Sequence, residues 1–138
     1  YMGGSDPEVL EKLNNEFPPK EGQTIIALFD RDGSGLKCIQ EVCGYRGTKD
    51  DFSGFIKNNI NIYFYPKKDN FTESDFEVED YFNISQCTNF TFNNITSFSK
   101  LKKGFSKVKF AEECKNFFPS DFEGFKTLFN LILRIKGL

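Results

Sequence analysis

Histidine is absent from all 138 residues. That excludes Ser-His-Asp and Cys-His nucleophiles, imidazole acid–base pairs and His-ligated metals. Any chemistry is left to carboxylates, Lys, Tyr, Cys and a hard metal ion. Tryptophan is absent too, and cysteine is sparse. Cys38, Cys43, Cys87 and Cys114 lack C-x-x-C spacing, so neither a disulfide scaffold nor structural zinc is expected. Each reads as a small buried residue. No apolar run approaches the roughly 20 residues of a membrane span, and no signal-peptide pattern is seen. The expectation is a cytoplasmic chain without a membrane partner. A basic excess is also lacking: the net charge is −2 and the pI about 5.3. That argues against a free-standing nucleic-acid binder, though local basic clusters fit within it.

What the chain has in quantity is phenylalanine, 18 residues of it, in a composition 38% hydrophobic and 28% charged. This suits one globular domain with a modest, ring-rich core. The N-x-[ST] triplets at Asn70, Asn83, Asn89 and Asn94 read as a product of Asn-rich composition rather than glycosylation.

Patterning predicts alternating helices and strands. Tyr1-Met2-Gly3-Gly4 resembles a strand end and glycine turn, and Ser5 with Glu8 opens a helix with Val9, Leu10, Leu13 and Phe17 inward. Thr24–Phe29 is a continuous β-rich run, suited to a central parallel strand buried on both faces. A short helix through Leu36, Ile39 and Val42 should end at Gly44, and a second strand is expected over Asn61–Tyr65. Residues 45–59 read as a loop or ragged helix, Glu77–Phe82 as a short helix or turn, and 86–104 as an insertion or hairpin. Lys107–Asn116 is expected to be helical. So is Asp121–Ile135, with Phe122, Phe125, Leu128, Phe129, Ile132 and Ile135 on one face. The fold class is therefore α/β.

The informative segment is Phe29-Asp30-Arg31-Asp32-Gly33-Ser34-Gly35. Asp30 and Asp32, two residues apart at a strand end, point to the same side, with Arg31 facing away. Paired carboxylates repel, and a divalent cation relieves the repulsion. An EF-hand calcium loop would use Asp30, Asp32, Ser34, Gly35 and Glu41. However, Lys37 stands where that loop wants an apolar residue, and no second loop pairs with it. A haloacid-dehalogenase-type phosphatase would use Asp30 as nucleophile and Asp32 as general acid. The plainest alternative is a turn that caps the next helix.

Downstream residues favour another family. Asp30, Asp32 and Gly35 match the strand-end D-x-D of Toprim domains, and Phe76-Glu77-Val78-Glu79-Asp80-Tyr81-Phe82 resembles the segment after the next strand in Toprim nucleases of the overcoming-lysogenisation-defect (OLD) type. Lys107-Val108-Lys109-Phe110-Ala111 is similar to their K-x-x-F-A helix start, and Asp121–Phe129 to their last amphipathic helix. The resemblance runs through nearly the whole chain in order. It implies a single Toprim-like domain over 1–138, a parallel sheet flanked by helices that lacks its first strand or strands, and a helical C-terminal end. It further implies Mg²⁺- or Mn²⁺-dependent hydrolysis of DNA phosphodiesters, commonly joined to an ATPase domain in the same or another chain, with homodimerisation open.

In that reading Asp30 and Asp32 are catalytic metal ligands. Either Glu79 or Asp80 is a further ligand, the other being a structural cap. Lys107, or Lys109 as its competitor, neutralises charge on the phosphate, and Lys102, Lys103 and Lys109 track the nucleic-acid backbone unless they are simply a solvated face. The family's upstream catalytic Glu has no counterpart here, and Glu8, Glu11 and Glu16 read as solvated helix positions. A degenerate Toprim domain that binds nucleic acid or a partner without cutting is a further alternative.

Overall fold

A computed structural model describes residues 7–83 and 107–138. The expected strand at Tyr1-Met2, the Ser5 cap, the 86–104 hairpin, Cys87, Lys102 and Lys103 lie outside the described residues.

Helix α1 (Pro7–Glu16) leads to strand β1 (Ile25–Phe29), helix α2 (Gly33–Cys43), and strands β2 (Phe55–Lys57) and β3 (Ile60–Phe64). The three strands form one mixed sheet in the order β1-β3-β2. β1 and β3 run parallel, in register from Ile25 opposite Ile60 to Phe29 opposite Phe64. α2 spans the crossover that parallel strands require. The fold is thus α/β, with a mixed rather than purely parallel sheet.

The antiparallel strand β2 went unrecognised in the polar stretch 45–59. It exists because Asn58 and Asn59 take φ of 50° and 64°, which closes a two-residue hairpin between Lys57 and Ile60. Both central positions of such a turn need positive φ, and asparagine tolerates it. β1 differs from expectation as well. Among the described residues it lies at a sheet edge and is half-buried, with only Phe29 fully covered. The central strand is β3, whose Ile60, Ile62 and Phe64 are buried.

α2 forms as patterned. Asp32 Oδ1 accepts the Gly35 N–H at 2.7 Å, and Gly44 ends the helix with φ 67°. Lys57 Nζ donates to the Val42 carbonyl at 2.7 Å, satisfying one of the last-turn acceptors. Cys38, Ile39 and Val42 pack with Leu10, Phe29, Ile60, Ile62 and Phe64 into a largely aliphatic cluster. Phe17 does not join it: α1 stops at Glu16 ahead of two prolines, and Phe17 is 67% exposed.

Beyond β3 the chain is mostly irregular. A 3₁₀ turn (Val78–Tyr81) is followed, after the undescribed stretch, by α3 (Lys107–Glu113) and two 3₁₀ segments (Cys114–Asn116 and Pro119–Phe125). The last element is α4 (Lys126–Ile135). Tyr65, Phe76, Tyr81 and Leu128 form a second, aromatic cluster. The single inward face expected over Asp121–Ile135 is interrupted. The 3₁₀ stretch to Phe125 advances faster per residue than the α-helix after it, so the phase shifts. Leu128 and Leu131 turn inward while Phe129 is 56% and Phe122 38% exposed.

Candidate functional site

The end of β1 is bound to the segment after β3 by one isolated antiparallel bridge. The Arg31 N–H donates to the Phe76 carbonyl at 2.8 Å, and the Phe76 N–H donates to the Arg31 carbonyl at 3.0 Å. The bridge has Asp30 and Asp32 flanking it on one strand segment and Asp75 and Glu77 flanking it on the other. The two acidic segments singled out in the sequence therefore meet at the carboxyl end of the parallel pair β1/β3. Open α/β sheets commonly bind ligands at that end.

α3 reaches the same place through rings. Phe110 packs edge-on against Phe82 at 5.3 Å, and Phe117 does so at 5.4 Å. Phe82 immediately follows the Val78–Tyr81 turn, so the element bearing Lys107 and Lys109 docks on the turn bearing Glu79 and Asp80. The two lysines are placed there by the backbone of α3. Cys114, just past α3, has its thiol pKa raised, first by burial and then by Glu113, with a smaller contribution from Glu79.

The carboxylates have distinct roles. Asp32 is the N-cap of α2, so one of its oxygens is committed to the Gly35 N–H. Asp80, 1% exposed, accepts the Glu77 N–H on Oδ2 at 2.8 Å and closes its own turn. Of the pair Glu79 and Asp80, the cap is thus Asp80. Asp30 Oδ1 and Glu79 Oε2 are screened from solvent. Gly35 is required beside them, because a Cβ there would sit 1.9 Å from the Asp30 carbonyl oxygen.

Arg31 faces the other way, as alternation demands, but it is far from idle. Its Nη1 donates to the Lys49 carbonyl at 2.9 Å and its Nε to the Tyr65 carbonyl at 3.3 Å. The guanidinium lies 5.2 Å from the Phe64 ring centroid. Burial lowers its pKa, opposed by Asp50 and Tyr81. It therefore ties the loop after β1 to the end of β3 and to the 49–50 loop.

Two further cations escaped the sequence reading. Lys49 pairs with Asp75, and Lys68 donates to the Phe82 carbonyl at 3.1 Å. Burial lowers the Lys68 pKa while the nearby Asp80 carboxylate raises it. The available signal was position: Lys67-Lys68 follows the parallel strand β3 after only Tyr65-Pro66.

Hard oxygen donors of this kind suit Mg²⁺ or Mn²⁺. Among the described residues no group of three or more acidic or thiol side chains is arranged to hold an ion. Mg²⁺ is commonly held by one or two carboxylates, with water and substrate phosphate completing its shell.

The EF-hand alternative meets a different geometry. Ser34, Gly35, Lys37 and Glu41 belong to α2 rather than to a loop, and a strand precedes Asp30 where that motif has a helix. Glu8, Glu11 and Glu16 are exposed on α1, as read. A cleft of about 200 Å³ between α1, α2 and the hairpin, floored by Val42, Ile60 and Ile62, lies at the opposite end of β3 from the carboxylates. No helix among the described residues is long and apolar enough to cross a membrane.

No protein-family model, curated protein or solved structure matches this chain.

Proposed function

We propose that this chain carries the carboxylate portion of a Toprim-like nuclease centre of the OLD type. In this reading it hydrolyses DNA phosphodiesters with Mg²⁺ or Mn²⁺ and works with an ATPase domain. One observation carries the reading. The segment Phe76–Phe82 is hydrogen-bonded at its start to the Asp30-Arg31-Asp32 turn and packed by rings at its end onto α3. Three separate motifs of the resemblance thereby converge at one end of a parallel strand pair.

Asp30 and Glu79 are the metal-directed carboxylates, by virtue of their buried oxygens. Asp32 contributes the oxygen that does not cap α2, and Asp80 holds the turn that presents Glu79. A bound divalent ion supplies charge on the phosphate and a water of lowered pKa. Lys107 or Lys109 offers positive charge to the phosphate from α3, and Lys102 and Lys103 extend that charge along the backbone of the substrate.

The test is a crystal soaked in Mn²⁺, with the ion located by anomalous scattering. An ion held by Asp30 and Glu79, and lost in Asp30→Asn and Glu79→Gln, is the expected result. An ion wrapped by Asp30, Asp32, Ser34, the Lys37 carbonyl and Glu41 would make this a calcium module. No ion at millimolar Mn²⁺ would leave these carboxylates as turn and helix caps and end the nuclease reading.

A further inference from the structure

α4 has a second face that stays largely exposed, although the Phe129 ring on it touches Phe125 at 6.4 Å. Leu128 and Leu131 are buried on its inner side, yet Phe129 is 56% and Leu133 45% exposed. Lys126 and Lys136, both exposed, stand at i−3 from Phe129 and i+3 from Leu133. On a helix the spacing 126, 129, 133, 136 forms a single ridge, so an apolar pair is bracketed by a cation at each end. Arg134 is exposed on the same helix, and no acidic residue occurs from Gly124 to Leu138. In a chain of net charge −2 this is a local concentration of positive charge. Phe118, 73% exposed, and Phe122, 38% exposed, lie in the segment before the helix.

We infer that the Lys126–Phe129–Leu133–Lys136 ridge docks an acidic amphipathic helix of a partner protein, one that sets leucine-like side chains between carboxylates. Charge complementarity selects this occupant. Two large apolar side chains seat in a helix–helix groove, while the cations at both ends fix register and exclude basic helices. A lipid surface is a poorer match: the inner face of α4 is already buried in protein, leaving only one short row to insert. A second copy, whose own α1 bears the exposed acids Glu8, Glu11 and Glu16, is told apart by the test below. The inference stands apart from the nuclease reading, because α4 carries none of its carboxylates.

The probe is a synthetic helix with leucines at i and i+4 flanked by glutamates, titrated by fluorescence anisotropy against a twin carrying lysines instead. The expected result is saturable, salt-sensitive binding of the acidic peptide, at least about tenfold tighter than the basic one. Phe129→Ser with Leu133→Ser should abolish it, with circular dichroism unchanged. Lys126→Glu with Lys136→Glu should reverse the preference toward the basic peptide. Equal binding of both peptides, or binding of neither, overturns the inference. So does a concentration-dependent dimer in sedimentation that the Phe129 and Leu133 substitutions dissolve, or tighter binding to phosphatidylglycerol vesicles than to the acidic peptide.

Discussion

The two clusters at the centre of this molecule are built on different plans. The first joins α1, α2 and the sheet through Leu10, Ile39, Val42, Ile60 and Ile62, branched side chains on regular elements whose backbone bonds are satisfied within helix and ladder. The second joins the irregular segment 76–82, the 3₁₀ stretch and α4 through rings. Phe76 and Tyr81 meet at 4.8 Å, Tyr81 and Phe125 at 4.7 Å, and Phe82 and Phe125 at 5.1 Å. Where the backbone does not repeat, side chains cannot interdigitate in rows, and large flat groups in edge-on or tilted contact supply both the area and the orientation. Among the described residues, much of the phenylalanine thus serves the half that lacks regular structure, and the acidic turn of the candidate site sits in that half.

Removal of one ring gives the sharpest test of this contrast. Tyr81 is 1% exposed, and Tyr81→Ala should cost about 3–5 kcal/mol, read as a fall in the urea midpoint. Tyr81→Phe keeps the ring but leaves the Pro66 carbonyl without its 2.7 Å donor, at about 1–2 kcal/mol. If the alanine variant loses no more than the phenylalanine variant, the aromatic cluster is not what holds this half together.

Backbone contact comes next. A Cβ on Gly124 would lie 1.9 Å from the Tyr81 carbonyl oxygen, as one on Gly35 would from that of Asp30. Each cluster therefore has one glycine pressed against a carbonyl. Gly124→Ala should lose about 1–3 kcal/mol, and Gly35→Ala a similar amount. A large loss at one glycine only, in matched denaturation curves, would show that one of the two halves yields more readily.

The aromatic half should also be the one that responds to alkali. Burial, then Tyr65, raises the Tyr81 hydroxyl pKa above its ordinary value, with Arg31 opposing. A folded-state pKa above the unfolded one means the contribution is whole below about pH 10 and fades as pH rises beyond it, by up to about 1.4 kcal/mol per pH unit. Tyr81→Phe, which has nothing to ionise, should flatten that part of the stability profile; an unchanged slope would assign it to other groups.

The smallest effect belongs to the aliphatic half. Asp32→Ala removes the cap of α2 and should cost about 1 kcal/mol, while Asp32→Asn should be nearly neutral in stability. If Asp32→Asn nevertheless weakens Mn²⁺ binding, Asp32 is a ligand as well as a cap, and the two roles are separated in one pair of variants.

Local patterning disclosed much of this. The β1 run, the Asp32-to-Gly44 helix, the β3 run, the 78–81 turn and the α3 and α4 segments all follow from short-range rules of period, cap and terminator. β2 did not, because its three exposed residues have no period and owe their pairing to the Asn58-Asn59 turn and to β3. The outward turn of Phe129 was hidden because periodicity assumes one helix type, whereas a 3₁₀ segment resets the phase before α4 begins.

The same division holds at the candidate site. The sequence alone supplied the residue types, the paired carboxylates and the exclusion of histidine chemistry, since these depend only on which groups are present and how far apart they lie along the chain. Only the tertiary structure decided that the Asp30-Arg31-Asp32 turn meets the segment beginning at Phe76, and that Asp80 closes the turn after it. It alone gave Arg31 and Lys68 their places around them. Those facts depend on the Arg31–Phe76 bridge and the Phe82–Phe110 contact. Each joins residues distant in the chain, and no local spacing encodes such a pairing.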